Sequence, residues 1–417
     1  MPPSTVIIGA GPIGLLTAFE LTRHGRHVTV IDRDRIGSGG SRWNAGEVVP
    51  FEVDPVASSA FLRKGARGLL SARLEPSLTV GIGDLLADPG FFTRFAWHSR
   101  PAAYEAGRRA LLELAKPTFE LLQQYRAEGL PMHPQGNRFL YLFESPRAAR
   151  AARRNAEHGS RISGLPAPGE LLHSTELRDF EPGLSDKATA GFFQSGNQYI
   201  DSNQFFEDLI GLLSARGVQF MDRTEATEVR ESLDGAEVLT PLTSIPCDSV
   251  LIAAGADAGR LAERWRIRLP LRAGRGYSVR VDLPLNHRDT LLHFSESHVV
   301  ASPFDREVQL AGQMNIASKP KDPASYHRRI LAMAAEYLPA VAEASVVRQG
   351  AGVRPLTPDG LPYIGSLSRR VHVAAGHNMI GLTLAPTTAA AIAPLLLGEA
   401  ARTNLAPFSP ARFTRGA

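Results

Sequence analysis

Apolar and polar positions along the chain fall into short strand-like runs and longer helical stripes, and the first three set the frame. Thr5-Val-Ile-Ile is a β-branched run of the kind buried on both faces of a parallel sheet. Residues 15–21 carry apolar side chains at helical spacing, and His27-Val-Thr-Val-Ile is a second buried run that leads into Asp32. Strand, helix and strand predict a βαβ unit. Helical periodicity returns over 104–128, 147–158, 201–213, 325–337 and 382–397, with a short piece at 176–180. Strands are expected at 137–143, 190–194, 218–221, 226–230, 248–254, 276–282, near Val299, and at 308–312, 346–353 and 371–375. Residues 50–101 mix apolar patches with turn signals and settle into no period. No internal repeat is present.

The turn between the first strand and helix carries Gly9, Gly11 and Gly14 in G-x-G-x-x-G spacing, with Ala10, Pro12 and Ile13 between them. Gly9 permits a tight turn, Gly11 lets backbone N–H groups approach a pyrophosphate at the helix N-terminus, and Gly14 lets helix and strand pack closely. Asp32, after the second strand, can accept hydrogen bonds from an adenosine ribose. Arg33 and Arg35 would suit a ribose 2′-phosphate, but Asp32 would repel one, so the pattern predicts an unphosphorylated adenine dinucleotide. The loop over 33–47 is rich in small residues, which bring backbone amides against a flat or anionic ligand without obstruction.

Nucleotide-type signals occur near the N-terminus, in the middle and near the C-terminus. The simplest fold is α/β (α+β overall): a Rossmann-type domain assembled from 1–95, 195–272 and 345–417, with 96–194 and 273–344 forming a mainly antiparallel-sheet substrate domain. The length of 417 residues suits two or three domains, and 43% hydrophobic with 21% charged residues is a globular composition. A single cysteine, Cys247, excludes an intrachain disulfide and a cysteine zinc site, and no metal is expected. The formal net charge is +4, yet only five of the 46 basic residues are lysines. That imbalance has the look of a coding bias, so no arginine gains weight merely from being one. The basic run 147–154 lies in an alanine-rich helical stripe and reads as a solvated face, with an anionic membrane surface as the alternative. No aromatic-interleaved basic motif points to nucleic acid. The apolar start lacks a cationic n-region, and 382–397 is short and holds Pro386 and Pro394. The expectation is a cytoplasmic protein, with contact at the inner face of the membrane as the alternative.

Several stretches together resemble the D-amino-acid oxidase and dehydrogenase superfamily of FAD enzymes, most of all bacterial D-amino acid dehydrogenases, with glycine oxidase nearby. They are Ile8-Gly-Ala-Gly-Pro-Ile-Gly with Ile31-Asp32, the loop Ser41-Arg-Trp-Asn-Ala-Gly-Glu-Val, Tyr199-Ile-Asp-Ser-Asn-Gln-Phe, Val250-Leu-Ile-Ala-Ala-Gly-Ala and Arg275-Gly-Tyr-Ser. The most specific are Gly352-Val-Arg-Pro-Leu-Thr-Pro-Asp-Gly-Leu-Pro-Tyr-Ile-Gly and Ala375-Gly-His-Asn-Met-Ile-Gly-Leu-Thr-Leu-Ala-Pro. The resemblance implies a two-domain FAD enzyme that oxidises a carbon–nitrogen bond of an amino acid. It implies FAD contacts from the fingerprint, Asp32 and Arg33, from Ser41, Arg42, Asn44, Ala45, Gly46 and Glu47, from Val229, Ala254 and Gly255, and from Arg354, Gly376, Asn378, Met379, Ile380, Gly381, Leu382 and Thr383. Asp32 stands where the family usually has Glu, and Met379 where glycine oxidase has an arginine. Asn44 replaces the His, and Ala351 to Val353 the Cys, through which some relatives attach the flavin, so the FAD is expected to be non-covalent.

By the same resemblance Arg354 grips the substrate carboxylate, aiming one Cα–H at flavin N5. His377 reads either as a hydrogen-bonded structural imidazole or as an active-site group, and Tyr277 either as a packed strand residue or as a hydroxyl near the substrate. The expected partners are a small amino acid and an electron acceptor, oxygen or a quinone. A secondary-amine enzyme (sarcosine, D-hydroxyproline or opine type), alone or as a subunit of a complex, and a non-catalytic flavin-binding sensor or scaffold are the other readings. The oligomeric state is not legible in the sequence.

Overall fold

A computed structural model describes residues 3–70, 78–316 and 322–414. Ser4–Ile8 lies inside a six-stranded sheet, where an unbroken apolar run is buried on both sides. His27–Ile31 and then Gln219–Met221 follow on one edge, and Ser249–Ile252, Val371–Ala375 and Tyr363–Ser366 on the other. All neighbours run parallel except the last pair. Helices Pro12–Arg23 and Gly381–Leu396 pack on one face through Leu15, Phe19, Leu384, Ala389 and Ile392, joined by Leu122, Phe205 and Leu209. On the other face an antiparallel meander (Glu228–Glu231, Ala236–Leu239, Ser244–Cys247) covers Val6, Ile8 and Val250 with Val229, Val238 and Cys247.

The stripe over 104–128 is two helices, Pro101–Ala115 and Thr118–Ala127. Pro117 breaks it, since proline lacks the amide hydrogen that would continue the helical ladder and its ring clashes with the preceding turn. Residues 50–101, unassigned by periodicity, hold helices Ser59–Leu70, Ile82–Ala87 and Pro89–His98 and the strand Leu78–Val80.

The second sheet has ten strands. Its main path runs Val346–Leu356, Arg272–Asp282, Glu307–Ile316, Val299–Phe304, Thr290–Phe294, Gly136–Phe143, Ala190–Tyr199 and Glu47–Val48. Pairing on this path is antiparallel except between Thr290–Phe294 and Gly136–Phe143. One face is sealed by helix Pro323–Ala335, with Tyr277, Val279 and Leu310 against Ile330 and Met333. The sequence reading groups Val346–Leu356, Glu47–Val48 and Leu78–Val80 with the dinucleotide segments, yet all three pair in this second sheet. That reading follows where glycine signals fall, whereas strand pairing is decided by partners far away in the chain.

Arg280 ties the second sheet to the helix Ser202–Ala215 that packs on the first. It is 2% exposed, and its guanidinium donates to both Asp201 oxygens at 2.7 and 2.9 Å. Asp201 also caps helix Ser202–Ala215, accepting from the Asn203 amide at 2.9 Å.

Candidate active site

The three glycines of the first turn have separate steric roles. Gly9 has φ +110°, and a Cβ there would stand 2.4 Å from the Ala253 carbonyl oxygen. A Cβ on Gly14 would stand 2.0 Å from the Gly9 oxygen, so this pair closes helix onto strand. At Gly11 a Cβ meets nothing within 4 Å, and the residue faces an open cleft at the carboxyl ends of the parallel strands. Asp32 accepts the Ala10 amide at 2.8 Å and the Asp34 amide at 2.9 Å while lining the same cleft. Burial raises its pKa, and the two amide hydrogen bonds oppose that shift. Arg33 bonds Asp257 at 2.9 Å.

Two helix N-termini open into the cleft, through Gly11, Pro12 and Ile13 and through Gly381 and Leu382. Neither helix has a side-chain cap or an acidic residue in its first turn, so their N–H groups and positive dipole ends stay available. Ser41, Asn44, Ala254, Gly255, Arg354, Gly376, His377, Asn378 and Met379 complete the wall among the residues expected on sequence. An open glycine at one helix N-terminus, an acid beside it and a second uncapped helix facing a glycine-rich wall fit the pyrophosphate, ribose and flavin of FAD.

Other expected residues build the wall from behind. The Asn44 side chain accepts from the Ser202 hydroxyl at 2.6 Å and the Gly46 amide at 2.8 Å, while its carbonyl receives the Gln309 amide. The Ala45 carbonyl accepts from Ser302 at 2.7 Å. Gly46 has φ +79°, and a Cβ there would lie 2.0 Å from the Ile200 oxygen. Arg42 pairs with Glu207, Glu47 with His293 at 3.0 Å, and the Thr383 hydroxyl accepts from the Val49 amide at 3.0 Å. Ile380 is the N-cap of helix Gly381–Leu396. Val229 is not on the cleft wall. It sits in the meander core, and Thr224, Glu225 and Ala226 line the cleft instead, because the strand starts at Glu228 and leaves those three in the loop before it.

Arg354 lies flat on its neighbour strand. A Cβ at Gly276 would be 2.5 Å from the guanidinium carbon, so only glycine leaves this space. Nη1 donates to the Gln313 carbonyl at 3.3 Å, and among the described residues no carboxylate forms an ion pair with it. The carbonyl is presented by a β-bulge: Arg275 opposes Asn315 and Tyr277 opposes Gly312, and Gln313 takes φ +61°. Burial lowers the arginine pKa, and the Glu47 carboxylate opposes that shift.

Tyr277 turns away from this chemistry, and His377, although on the cleft wall, has its ring committed to a neighbour. The His377 ring is 3% exposed and bonded to the Thr388 hydroxyl at 3.0 Å. Burial pushes its pKa down to about 3, so it is a neutral structural imidazole. Tyr277 is 1% exposed and stacks on Tyr326 at 4.3 Å, on the face opposite Gly276. Strand alternation, invisible without the register, sends it into the core. Asn378, with φ +52°, accepts the Thr357 amide at 3.0 Å and donates to the Gly360 and Gly376 carbonyls at 3.0 and 2.9 Å.

Sequence reasoning did not single out Gly39, Gly40, Trp43, Gly276 or Gly352 as site residues. A Cβ at Gly352 would meet the Gly40 oxygen at 2.4 Å, and one at Gly350 would meet the Trp43 ring at 2.4 Å. The alternating glycines 350 and 352 were a legible signal of this close approach. Among the described residues no group of His, Cys, Asp and Glu is arranged to hold a metal.

Comparison with known proteins agrees with this geometry. The family of FAD dependent oxidoreductases, DAO, matches residues 4–395. A D-amino acid dehydrogenase of Cereibacter sphaeroides is 28% identical, the match covering 95% of this chain and 92% of the relative. A D-amino-acid oxidase of Bradyrhizobium diazoefficiens is 30% identical over 98% of both chains. Glycine oxidase from Geobacillus kaustophilus shares the fold with a TM-score of 0.74 at 23% identity, over 98% of this chain and 99% of that one. The chain belongs to the DAO family of FAD-dependent oxidoreductases and is an enzyme of that family.

Proposed function

We propose that this enzyme oxidises the Cα–N bond of a free D-amino acid, giving an imino acid that water hydrolyses to a 2-oxo acid. The observation that carries the reading is Arg354, a guanidinium that forms no ion pair with a carboxylate among the described residues, laid on a glycine at the wall of the FAD cleft. The D configuration rests on relatives named D-amino acid dehydrogenase and D-amino-acid oxidase. FAD, when bound, supplies the acceptor for a hydride from Cα. Arg354 pairs with the substrate carboxylate and fixes the plane of the reacting carbon. His377 is neutral and committed to Thr388, so substrate that binds as the free amine needs no base from it. The uncapped N-terminus of helix Gly381–Leu396 favours negative charge at its end of the cleft.

The FAD is held without a covalent bond, because the Asn44 side chain is spent on Ser202 and Gly46 and the segment Ala351 to Val353 offers no nucleophile. Acid or heat should release it, and flavin left on the denatured chain would refute this. A cytoplasmic location belongs to the same proposal, with helix Pro146–Ser163 as the basic surface for any membrane contact, and cell fractionation tests it. Among the described residues no helix is long and apolar enough to cross a membrane. The deciding experiment is an anaerobic screen of D-, L- and N-alkyl amino acids for flavin bleaching, followed by reoxidation with air or a quinone. Bleaching by N-alkyl substrates alone would replace the proposal with a secondary-amine enzyme, and bleaching by none would leave a flavin-binding protein without this activity.

A further inference from the structure

We propose that Glu47, Glu52 and His293 form the far wall of the substrate chamber and select amino acids that carry a cationic side chain. The inference rests on the amino acid reading above and names its substrate class.

The wall is built rather than incidental. Glu47 leaves the Asn44–Gly46 turn and places Oε1 3.0 Å from His293 Nε2. The Tyr141 ring stacks on His293 at 4.4 Å and 12°, and its hydroxyl donates to Glu52 at 3.1 Å. Asn197 donates to the other Glu52 oxygen at 2.9 Å. Asn197 is 1% exposed, and its own Oδ1 finds no partner among the described residues. An unsatisfied acceptor at that depth costs stability unless a ligand donor or water reaches it. Glu47 and His293 keep 28% and 18% of their side chains accessible, so the cluster borders open space.

The cluster lies on the same face of the second sheet as Arg354. Strand register carries Tyr141 through His293, Val300 and Ala311 to Ser278 and Gly350. Gly350, Gly352 and Arg354 alternate onto this same face. The guanidinium reaches the Gln313 carbonyl, and the strand of His293 lies two interstrand spacings further on, a separation on the order of 10 Å. A substrate held by its carboxylate at Arg354 can therefore present its side-chain end to Glu47 and Glu52. Among the described residues no lysine or arginine forms an ion pair with either glutamate, and Arg354 acts on Glu47 only through its longer-range charge. Burial holds the Glu52 carboxyl above its ordinary pKa, and a substrate cation beside it would favour the charged form.

The test uses oxidised holoenzyme and three straight-chain carboxylates without an α-amine: 5-aminopentanoate, pentanoate and glutarate. Their binding is read from the flavin absorbance. The wall predicts that 5-aminopentanoate binds about ten-fold or more tighter than pentanoate, and glutarate weakest. Glu47→Gln and Glu52→Gln should each collapse that ratio toward one. A ratio near one in the unaltered enzyme, or variants that weaken all three ligands alike, would overturn the proposal. Anaerobic reduction by D-lysine against D-norleucine separates the two levels. If the cation preference holds in binding while neither amino acid bleaches the flavin, the wall stands and the catalytic reading falls. If both bleach it with no preference for D-lysine and no preference in binding, the wall falls and the catalytic reading stands.

Discussion

Gly276→Ala should silence most amino acid turnover while leaving the fold and the flavin in place. Gly276 does not have the positive φ that would exclude alanine. Its new Cβ would lie 2.5 Å from Arg354 Cζ and Nη2 and 3.0 Å from Nε. Carbon atoms pack at roughly 3.5 Å, so the guanidinium must retreat by about 1 Å. The atoms displaced are the far end of a flexible side chain, so the strand Arg272–Asp282 need not move and stability should change little. The carboxylate clamp, however, is misplaced, and a shift of about 1 Å costs on the order of 100-fold in kcat/KM. Complete loss of the pair would cost about 2–5 kcal/mol, which corresponds to roughly 30- to 4000-fold. Stopped-flow flavin reduction by a D-amino acid and by its methyl ester reads the effect, with bound FAD measured by absorbance. The acid should lose far more than the ester, which has no anion to clamp. Equal losses for acid and ester with FAD retained, or an unchanged rate for the acid, would show that Arg354 is not the carboxylate partner.

Asp32→Ala removes a cleft-facing carboxylate and should weaken FAD binding by about 1.5–3 kcal/mol, read by titrating apoprotein with FAD. Asn378→Ala orphans the buried Thr357 amide, costing about 1–3 kcal/mol in urea unfolding of the holoprotein, whereas loss of activity without loss of stability would contradict its role as a staple. Asp201→Asn breaks the bidentate pair with Arg280 and should cost about 3–5 kcal/mol. Burial alone would raise the Asp201 pKa, but the hydrogen bonds and charge of Arg280 prevail and hold it below its ordinary value. Its stabilisation is therefore present above the unfolded pKa of about 3.9 and lost as pH falls through the folded value. The difference in stability between the unaltered protein and Asp201→Asn should shrink below about pH 4, and a difference independent of pH would refute the linkage.

What the sequence by itself determined was local. The turn of Gly9, Gly11 and Gly14, the buried runs on either side of it and the cap Asp201 are dictated by neighbours a few residues apart, and each stands where the pattern puts it. Arg354 was legible through its motif, although its own charge carried no weight in a chain so rich in arginine. Tertiary structure alone decided which face each strand residue takes. Tyr277 and Gly276 are adjacent in sequence, yet one enters the core and the other makes room for a guanidinium, because the pleat sends successive residues to opposite sides. The His377 ring is bonded to Thr388 of the helix that follows it, and Val229 yielded the cleft to Thr224 through Ala226 because its strand begins two residues later than its apolar pattern suggests. Glu47, Glu52, Tyr141, Asn197 and His293 come from four separated stretches and share no sequence signal. Only the folding of the second sheet over the Asn44–Gly46 turn brings them together, since the strand pairs that do so span residues up to 152 apart.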